Sequence, residues 1–202
     1  MPPDDFVAQE PLALSLAGHI SLAMANLRML ETLASLAICD PLTGLFHRRY
    51  LEESLEHEVR RTARNGMPIG VIMPDVDHFK RCNDPFGPGA GAMLLTRMAQ
   101  LLHSRTRAGG MASRSGGEEC TLVMPEATRA RPRGRAAQRR RELKQLQVQY
   151  ASRVRCPLTP ALGVARCPPP GSSALSLLQA AARALDAAKP GGRDHVAVAP
   201  AI

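Results

Sequence analysis

Residues 13–37 follow a seven-residue apolar repeat. Eight seam positions can be written in this stretch, and all of them are apolar: Ala13, Leu16, Ile20, Ala23, Leu27, Leu30, Ala34 and Ala37. A sustained repeat of this kind predicts a helix that pairs with a second copy in a parallel coiled coil. Alanine-rich stripes are also typical of helices inside ordinary bundles, and the small side chains and Gly18 would make such a coil weak.

The rest of the chain alternates between helical and strand-like patterns. A stripe of Leu51, Leu55, Val59 and Thr62 predicts a helix from Arg48 to Asn65, with acidic residues early and basic residues late, as the helix dipole favours. The further predicted elements are a strand at 69–73 that ends at Asp75, a turn at 83–91, a helix face at 94–102, a Gly-Gly hairpin, a helix at 138–150, a strand at 158–165, a helix at 173–189 and a strand at 195–199. Alternation of this kind predicts an α/β fold with one sheet and helices on its faces.

Prolines and glycines limit several of these elements. Pro132 and Gly134 argue against helix before Gln138, because proline lacks a backbone donor and crowds the preceding turn. Pro74 and Pro160 fall inside predicted central strands, where each would remove a ladder N–H group. We therefore expect some loss of stability in the sheet.

Charge and cysteine content bound the class of protein. The 202 residues carry a formal net charge of +8, and seven arginines lie between Arg129 and Arg141. That stretch would suit nucleic acid or an anionic membrane, but it lacks the aromatic side chains of single-strand binders, which favours a solvated helix face. The five cysteines include no Cys-x-x-Cys pair, which favours a reducing compartment. With no membrane-spanning run and no signal peptide indicated, a cytoplasmic location is expected.

Two acidic stretches carry the candidate chemistry. Asp75 ends a predicted central strand, and Glu118 follows Gly116 and Gly117 at the predicted hairpin. Carboxylates that meet at this sheet edge could hold one or two Mg²⁺ ions, which nucleotidyl transfer requires. The two glycines permit positive φ angles and leave no side chain between the backbone and a ligand. Taken alone, a Gly-Gly turn with solvated acids is common.

Further polar residues around these acids suit a nucleotide. The turn with Phe79 and Lys80 can offer backbone N–H groups and an ammonium to phosphates. Lys189 and Arg193 can point at one anion across the intervening Pro-Gly-Gly, and the amide of Asn83 can bind a purine edge. Solvated turns and cations at a helix C-terminus would explain the same residues without a ligand.

Four motifs together resemble the GGDEF domain, the diguanylate cyclase family. They are Asp-Pro-Leu-Thr-Gly-Leu-Phe-His-Arg-Arg at 40–49, Asp-Val-Asp-His-Phe-Lys-Arg-Cys-Asn-Asp at 75–84, Gly-Gly-Glu-Glu at 116–119, and Ala-Ala-Lys with Gly-Arg at 187–193. The resemblance implies a palm-like fold of the nucleotidyl cyclase (ferredoxin-like) type, with a central β-sheet flanked by helices and an N-terminal helix. It also implies synthesis of cyclic di-GMP from two GTP with release of pyrophosphate.

Site roles follow from the resemblance residue by residue. Asp75, the Val76 carbonyl and Glu118 would bind Mg²⁺ or Mn²⁺, and Glu119 would be a further ligand or the catalytic base. Asn83 would contact guanine. The remaining nucleotide contacts would come from Phe79, Lys80, Gly116, Gly117, Lys189 and Arg193.

The chain departs from the family pattern at several positions. Ala92 stands where an Asp usually helps to bind guanine, and Cys120 replaces the signature Phe beneath the hairpin. Arg107 begins a product-inhibition motif whose acid is replaced by Gly110. These departures predict weakened GTP binding and doubtful feedback inhibition.

The resemblance also predicts the organisation of the chain. Residues 1–39 would be a signalling helix after an upstream sensor domain, and residues 40–202 the GGDEF domain. Two domains must face each other, so a homodimer through the helix is expected. Two alternatives stay open: a degenerate GGDEF domain that serves as a nucleotide-binding or protein-interaction module, and a nucleic-acid binder that uses the arginine stretch.

Overall fold

The computed structural model divides the chain into two compact units, Met1–Ile38 and Cys39–Ile202. The structure describes residues 4–77, 79, 87–106, 109–127, 131–146, 149–150, 154–155, 158–167, 173–190 and 194–200, with the backbone alone at 4–11, 34–37, 131, 149–150, 154–155 and 167.

The first unit is a single helix, α1 (Asp4–Ile38). It confirms the predicted helix and extends it by nine residues at its N-terminal end. The described seam side chains from Ala13 to Leu30 are exposed, and so are apolar side chains off the seam such as Leu22 and Met29. Within the described ranges, no helix is long and apolar enough to cross a membrane. Pairing of α1 with a second copy stays a prediction.

The second unit is built around one mixed sheet. In chain order its elements are β1 (Phe46–His47), α2 (Arg48–Asn65), β2 (Ile69–Val76), α3 (Pro88–Ser104), β3 (Met111–Arg114), β4 (Cys120–Met124), α4 (Arg131–Gln145), β5 (Gln149–Tyr150), β6 (Val154–Arg155), β7 (Pro160–Cys167), α5 (Ala174–Ala188) and β8 (Val196–Val198). Six strands pair in the order β1-β3-β4-β2-β7-β8, and β5 pairs with β6. The central strand β2 is antiparallel to both β4 and β7, so its C-terminal end lies beside the start of β4.

Helices cover both faces of this sheet. Alternate residues of a strand point to opposite faces. Ile72 and Val76 pack in one cluster with residues of α3 and α4, such as Leu94 and Leu143. Ile69 and Val71 pack in a second cluster with residues of α2 and α5. The predicted α/β fold is therefore confirmed, and odd-numbered residues of β2 face α2 and α5.

Local signals explain the ends of α2 and α5. The α2 helix spans the predicted range and buries the predicted stripe. It ends at Gly66, whose φ of 71° is left-handed, a conformation that glycine adopts at little cost. Ser173 caps α5 through a reciprocal pair of hydrogen bonds with Ser176, as a capping box does.

Two helices begin earlier than predicted because proline is tolerated in the first helical turn. The α3 helix starts at Pro88, inside the stretch that we expected to be a turn. The α4 helix starts at Arg131 rather than Gln138 and ends at Gln145. The predicted helix to Tyr150 is wrong, because Gln149–Tyr150 form β5.

The two strand prolines remove no hydrogen bond from the β2–β7 ladder. Asp77 N–H donates to the Thr159 carbonyl at 2.9 Å, so odd-numbered residues of β2 bond toward β7 and Pro74 faces β4. The β4 ladder ends two residues earlier, at Ile72. Pro160 is the first residue of β7, and its nitrogen faces the side of β8. The pairing of β7 with β8 begins two residues later, at Leu162. Neither proline therefore costs a β2–β7 bond, whereas the β2–β4 ladder stops before Pro74, as the loss of its N–H group predicts.

Candidate functional site

The β3–β4 hairpin carries the Gly-Gly pair at its tip. Its neck closes with a hydrogen bond from Ser115 N–H to the Glu119 carbonyl at 3.0 Å. Neither Gly116 nor Gly117 takes a positive φ, so the glycines serve a different need. A Cβ at Gly116 would lie 3.1 Å from Glu119 Oε2, whereas a Cβ at Gly117 would meet open space. Gly116 thus makes room for the Glu119 carboxylate, and Gly117 leaves the tip accessible.

Arg114 ties this tip to the opening turn of the second unit. Its Nη2 donates to the Gly117 carbonyl at 2.7 Å, and its Nη1 donates to both carboxylate oxygens of Asp40 at 3.0 and 3.1 Å. Thr43 donates to the same carboxylate from its backbone and its hydroxyl. The sequence interpretation missed Arg114; its signal was a cation two residues before the glycine pair.

Asp75 lies at the buried end of β2 with only one of its oxygens satisfied. The residue is 3% exposed, and Oδ2 lies 3.1 Å from Nζ of Lys189 at the end of α5. Oδ1 is buried and has no hydrogen-bond partner among the described residues. Burial raises the pKa of Asp75 although Lys189 acts in the opposite direction. For Lys189, burial disfavours the charged form, but Asp75 outweighs it and the pKa is raised.

Glu118 shares this environment. Burial first, and the charge of Asp75 second, raise the pKa of Glu118 above its ordinary value. The β2–β4 register pairs Ile72 with Leu122, so its continuation by four further pairs would place Glu118 opposite Val76. Even-numbered residues of β2 direct their carbonyls toward β4, which would put the Val76 carbonyl on the side of Glu118.

These groups fit a divalent cation as a partial ligand set. A buried carboxylate oxygen without a partner is a costly group that a cation would satisfy. Carboxylate and carbonyl oxygens are the donors that Mg²⁺ takes. Within the described part of the chain, no three His, Cys, Asp or Glu side chains form a metal cluster. The protein would therefore supply few ligands, which agrees with the way Mg²⁺ keeps waters and substrate phosphates.

Several predicted site residues lie outside the described residues: Lys80, Asn83, Arg107 and Arg193. Phe79 is described, and it packs partly buried against the cluster that contains Val76. The structure thus brings Asp75, Glu118 and Lys189 together, with Glu119 on the same hairpin.

The family of the chain follows from its similarity to known proteins. The model of the family "Diguanylate cyclase, GGDEF domain" matches residues 37–195. This chain belongs to that family.

Curated relatives match part of the chain. The response regulator PleD of Caulobacter vibrioides is 40% identical over 95 residues, which cover 47% of this chain and 21% of PleD. The diguanylate cyclase DgcP of Pseudomonas aeruginosa is 44% identical over 96 residues, which cover 48% of this chain and 14% of DgcP. The match therefore spans about a fifth or less of these relatives.

A solved structure matches almost the whole chain. The coiled coil and GGDEF domain of DgcB from Caulobacter crescentus, determined in complex with c-di-GMP, superposes with a TM-score of 0.84. It is 26% identical, and the match covers 93% of this chain and 99% of that one. The palm-like GGDEF fold with an N-terminal helix is thereby confirmed.

The structure describes two of the residues that depart from the GGDEF pattern, Cys120 and Ala92. Cys120 is 1% exposed in the cluster with Ile72 and Leu94, and burial raises the pKa of its thiol to about 12. Cys120 is therefore a packing residue rather than a reactive thiol. Ala92 is partly buried in α3, where it presents a methyl group in place of the usual carboxylate.

Two cavities flank the hairpin of this GGDEF domain. One of about 180 Å³ is lined by Glu119, Met73 and Asp186. The larger, about 330 Å³, lies at the opposite end of the hairpin and is lined by Gly109, Gly110 and four arginines: Arg61, Arg105, Arg135 and Arg139. The larger cavity therefore lies away from Asp75, whereas Glu119 of the Gly-Gly hairpin lines the smaller cavity.

The arginine stretch is only in part the solvated face that we expected. Arg139 is 5% exposed and forms an ion pair with Glu142, and Arg140 forms one with Asp194. Arg133 and Arg141 are exposed. Because two of the cations are satisfied within the domain, fewer are available to an external polyanion than the sequence suggested.

Proposed function

We propose that this chain is a diguanylate cyclase domain, which condenses two GTP into cyclic di-GMP and releases two pyrophosphates in bacterial second-messenger signalling. The observation that carries the proposal is the buried, half-satisfied carboxylate of Asp75 beside Lys189 and the Gly-Gly hairpin. The relatives support it by name: DgcP is called a diguanylate cyclase, and the DgcB structure contains c-di-GMP.

Asp75 and Glu118 would hold Mg²⁺ or Mn²⁺, with the Val76 carbonyl as a further ligand. When bound, the cation neutralises the triphosphate and lowers the pKa of the attacking hydroxyl. Lys189, already directed at Asp75, would contact phosphate oxygens. Glu119, held over Gly116, would ligate the cation or accept the proton of the 3′-hydroxyl.

Nucleotide binding would use residues on both sides of this centre. The resemblance assigns guanine to Asn83 and phosphates to Phe79, Lys80 and Arg193. Gly116 and Gly117 would let the triphosphate approach the hairpin backbone, and the open space at Gly117 supports that role.

The reaction would require a homodimer, because each domain holds one GTP and the two must meet. The exposed apolar residues of α1 supply a surface for pairing, and an upstream sensor domain would control it. We place the reaction in the cytoplasm, where GTP is available.

The catalytic rate would be reduced. A methyl group at Ala92 cannot hydrogen-bond guanine, and a lost partner for a buried polar edge costs about 1–3 kcal/mol. The same observation favours the second candidate function, a degenerate GGDEF domain that binds nucleotide or a protein partner without turnover.

Product formation tests these proposals. Purified protein would be incubated with GTP and Mg²⁺, and cyclic di-GMP measured by chromatography, alongside Ala92→Asp and Glu118→Ala. Glu53→Ala, which removes an exposed carboxylate of α2, is the matched control. We expect slow product formation that Glu118→Ala abolishes, that Glu53→Ala leaves unchanged and that Ala92→Asp accelerates.

Other outcomes separate the two functions. Product from Ala92→Asp alone would support the degenerate module and locate the defect at guanine recognition. Absence of product from both proteins would contradict the cyclase proposal.

A further inference from the structure

Two cations of the arginine-rich helix α4 converge on Asp194. Arg140 Nη1 donates to the backbone carbonyl of Asp194 and to its Oδ1, which lies 3.2 Å away. One helical turn later, Lys144 Nζ lies 2.5 Å from Oδ2 of the same carboxylate. Every oxygen of Asp194 therefore contacts a side chain of α4.

The remaining polar group of Asp194 points at the candidate site. Its backbone N–H donates to Oδ2 of Asp77 at 3.2 Å, and Asp77 is two residues beyond Asp75. The backbone of Asp194 has a φ of 46°, a left-handed conformation that a residue with a side chain adopts at a cost. Such conformations persist where the surroundings hold them, and here α4 and Asp77 hold Asp194 from two sides.

We propose that Arg140 and Lys144 are positioning residues, which hold Asp194 against Asp77 and so fix the β2 end that carries Asp75 and Val76. We call Arg140, Lys144, Asp194 and Asp77 the α4 clamp. The inference rests on the proposed function, because the clamp would act on the binding of a nucleoside triphosphate. It also assigns a role to part of the arginine stretch that the GGDEF motifs leave unexplained.

The clamp would also balance charge. Asp75, Asp77, Glu118 and Asp194 are acidic groups near the place proposed for a polyanionic ligand, and like charges repel over this range. Arg140 and Lys144 offset two of these charges from the far side of Asp194. Without them, the site would be both less ordered and more negative toward a triphosphate.

The two cations are not equivalent. The Arg140 side chain is 31% exposed and Lys144 43% exposed, and exposed ion pairs contribute little. Arg140 also makes two contacts to Asp194, whereas Lys144 makes one. We therefore expect Arg140 to contribute more.

The test uses three variants: Arg140→Gln, Lys144→Gln and the double variant that carries both changes. Arg141→Gln serves as the control. Arg141 is exposed on the same helix, and within the described ranges it makes no ion pair or hydrogen bond, so its loss controls for charge alone. The first readout is hydrogen exchange of the Asp194 amide. The second is the affinity for a GTP analogue with a methylene in place of the α,β-bridging oxygen, measured with Mg²⁺. The third readout is whether the loss of activity toward GTP appears in KM or in kcat.

The double variant should exchange the Asp194 amide faster and bind the analogue about tenfold more weakly. It should raise KM for GTP by a similar factor, while kcat at saturating GTP changes by less than about threefold. Arg140→Gln should reproduce most of this effect, Arg140→Lys should restore part of it, and Arg141→Gln should leave all three readouts near those of the parent.

Unchanged exchange of the Asp194 amide in the double variant would overturn the clamp itself. Faster exchange with unchanged analogue affinity would overturn its positioning role. A parent protein that does not bind the analogue would refute nucleotide binding, and hence the role of the clamp in it, while the exchange experiment would still decide whether the clamp exists. An equal loss of affinity in Arg141→Gln would show that net charge, rather than position, governs binding.

Discussion

Asp40 shows how a single carboxylate connects two motifs that are distant in sequence. It accepts hydrogen bonds from Thr43 on one side and from Arg114 on the other, and Arg114 in turn holds the Gly117 carbonyl. The Asp40 and Arg114 side chains are only 14% and 18% exposed. This pair is therefore better shielded than the ion pairs along α2.

We predict that Asp40→Asn lowers the free energy of unfolding by about 1–3 kcal/mol at pH 7, the range for hydrogen bonds to charged groups. Burial raises the pKa of Asp40, but the hydrogen bonds of Thr43 and Arg114 outweigh it and lower the pKa below its ordinary value of 3.8. A lowered pKa stabilises the fold above the ordinary value, and the stabilisation is lost as pH falls below it. Urea unfolding of parent and variant should therefore differ at pH 7 and converge below pH 3.8.

Glu53→Gln is the control, because Glu53 pairs with Arg49 on the exposed face of α2. We expect a change of less than about 0.5 kcal/mol. A difference between parent and Asp40→Asn that persists unchanged at low pH would contradict ionic stabilisation by Asp40 and indicate a change of packing.

At the level of elements, the sequence predicted α2 fully and the other helices with errors at their ends. A regular stripe and Gly66 specified α2. Pro132 misled the prediction of α4, because the rule against proline applies to a helix interior and not to its first turn. The two-residue strand β1 has no periodicity to detect, and its partner β3 lies far along the chain.

The contact of α5 with the sheet depends on Gly163 in β7. A Cβ at this position would lie 2.1 Å from the Ala181 carbonyl oxygen and 2.4 Å from the Leu185 nitrogen, so helix and strand would have to separate. We predict that Gly163→Ala destabilises the domain by more than about 2 kcal/mol, as overpacking against backbone atoms does. Chemical denaturation would measure the change.

Gly134→Ala makes the same substitution where the added Cβ meets open space in α4. There the loss of glycine should stabilise the domain by about 0.5–1 kcal/mol. Equal effects of the two variants would contradict direct α5–β7 contact at Gly163.

For the whole molecule, the sequence predicted the candidate site residues better than it predicted the contacts between them. The motifs predicted Asp75, Glu118 and Lys189 as site residues, and the structure brings these three together. The pleat of β2 explains why Asp75 faces α5. The contact between Asp75 and Lys189 joins residues more than a hundred positions apart, which no local pattern can predict. The contacts of Arg114 with Asp40 and of Arg140 with Asp194 also join residues far apart in the sequence, and no local pattern predicts those partners.

The chain as a whole would function through α1, because a condensation of two GTP needs two domains. Leu16, Ile20, Leu27 and Leu30 on the seam are each more than half exposed, and a contiguous apolar surface of this kind marks an interaction site. We predict that the parent chain is a dimer in light scattering, as the proposed pairing through α1 requires, and that Leu27→Glu with Leu30→Glu makes it monomeric. Formation of cyclic di-GMP should then fall at least about tenfold and depend steeply on protein concentration.

Ala25→Glu with Thr32→Glu adds the same charges on the side of the helix opposite the seam. This control should remain dimeric and active, and both variants should bind the GTP analogue as the parent does, because nucleotide binding is a property of one domain. Leu22 and Met29 lie off the seam and are exposed as well, so they form a second candidate surface for pairing on α1. If the control dissociated and the seam variant did not, the chains would pair through that second surface. If the monomer retained full turnover, the site could not require two facing domains.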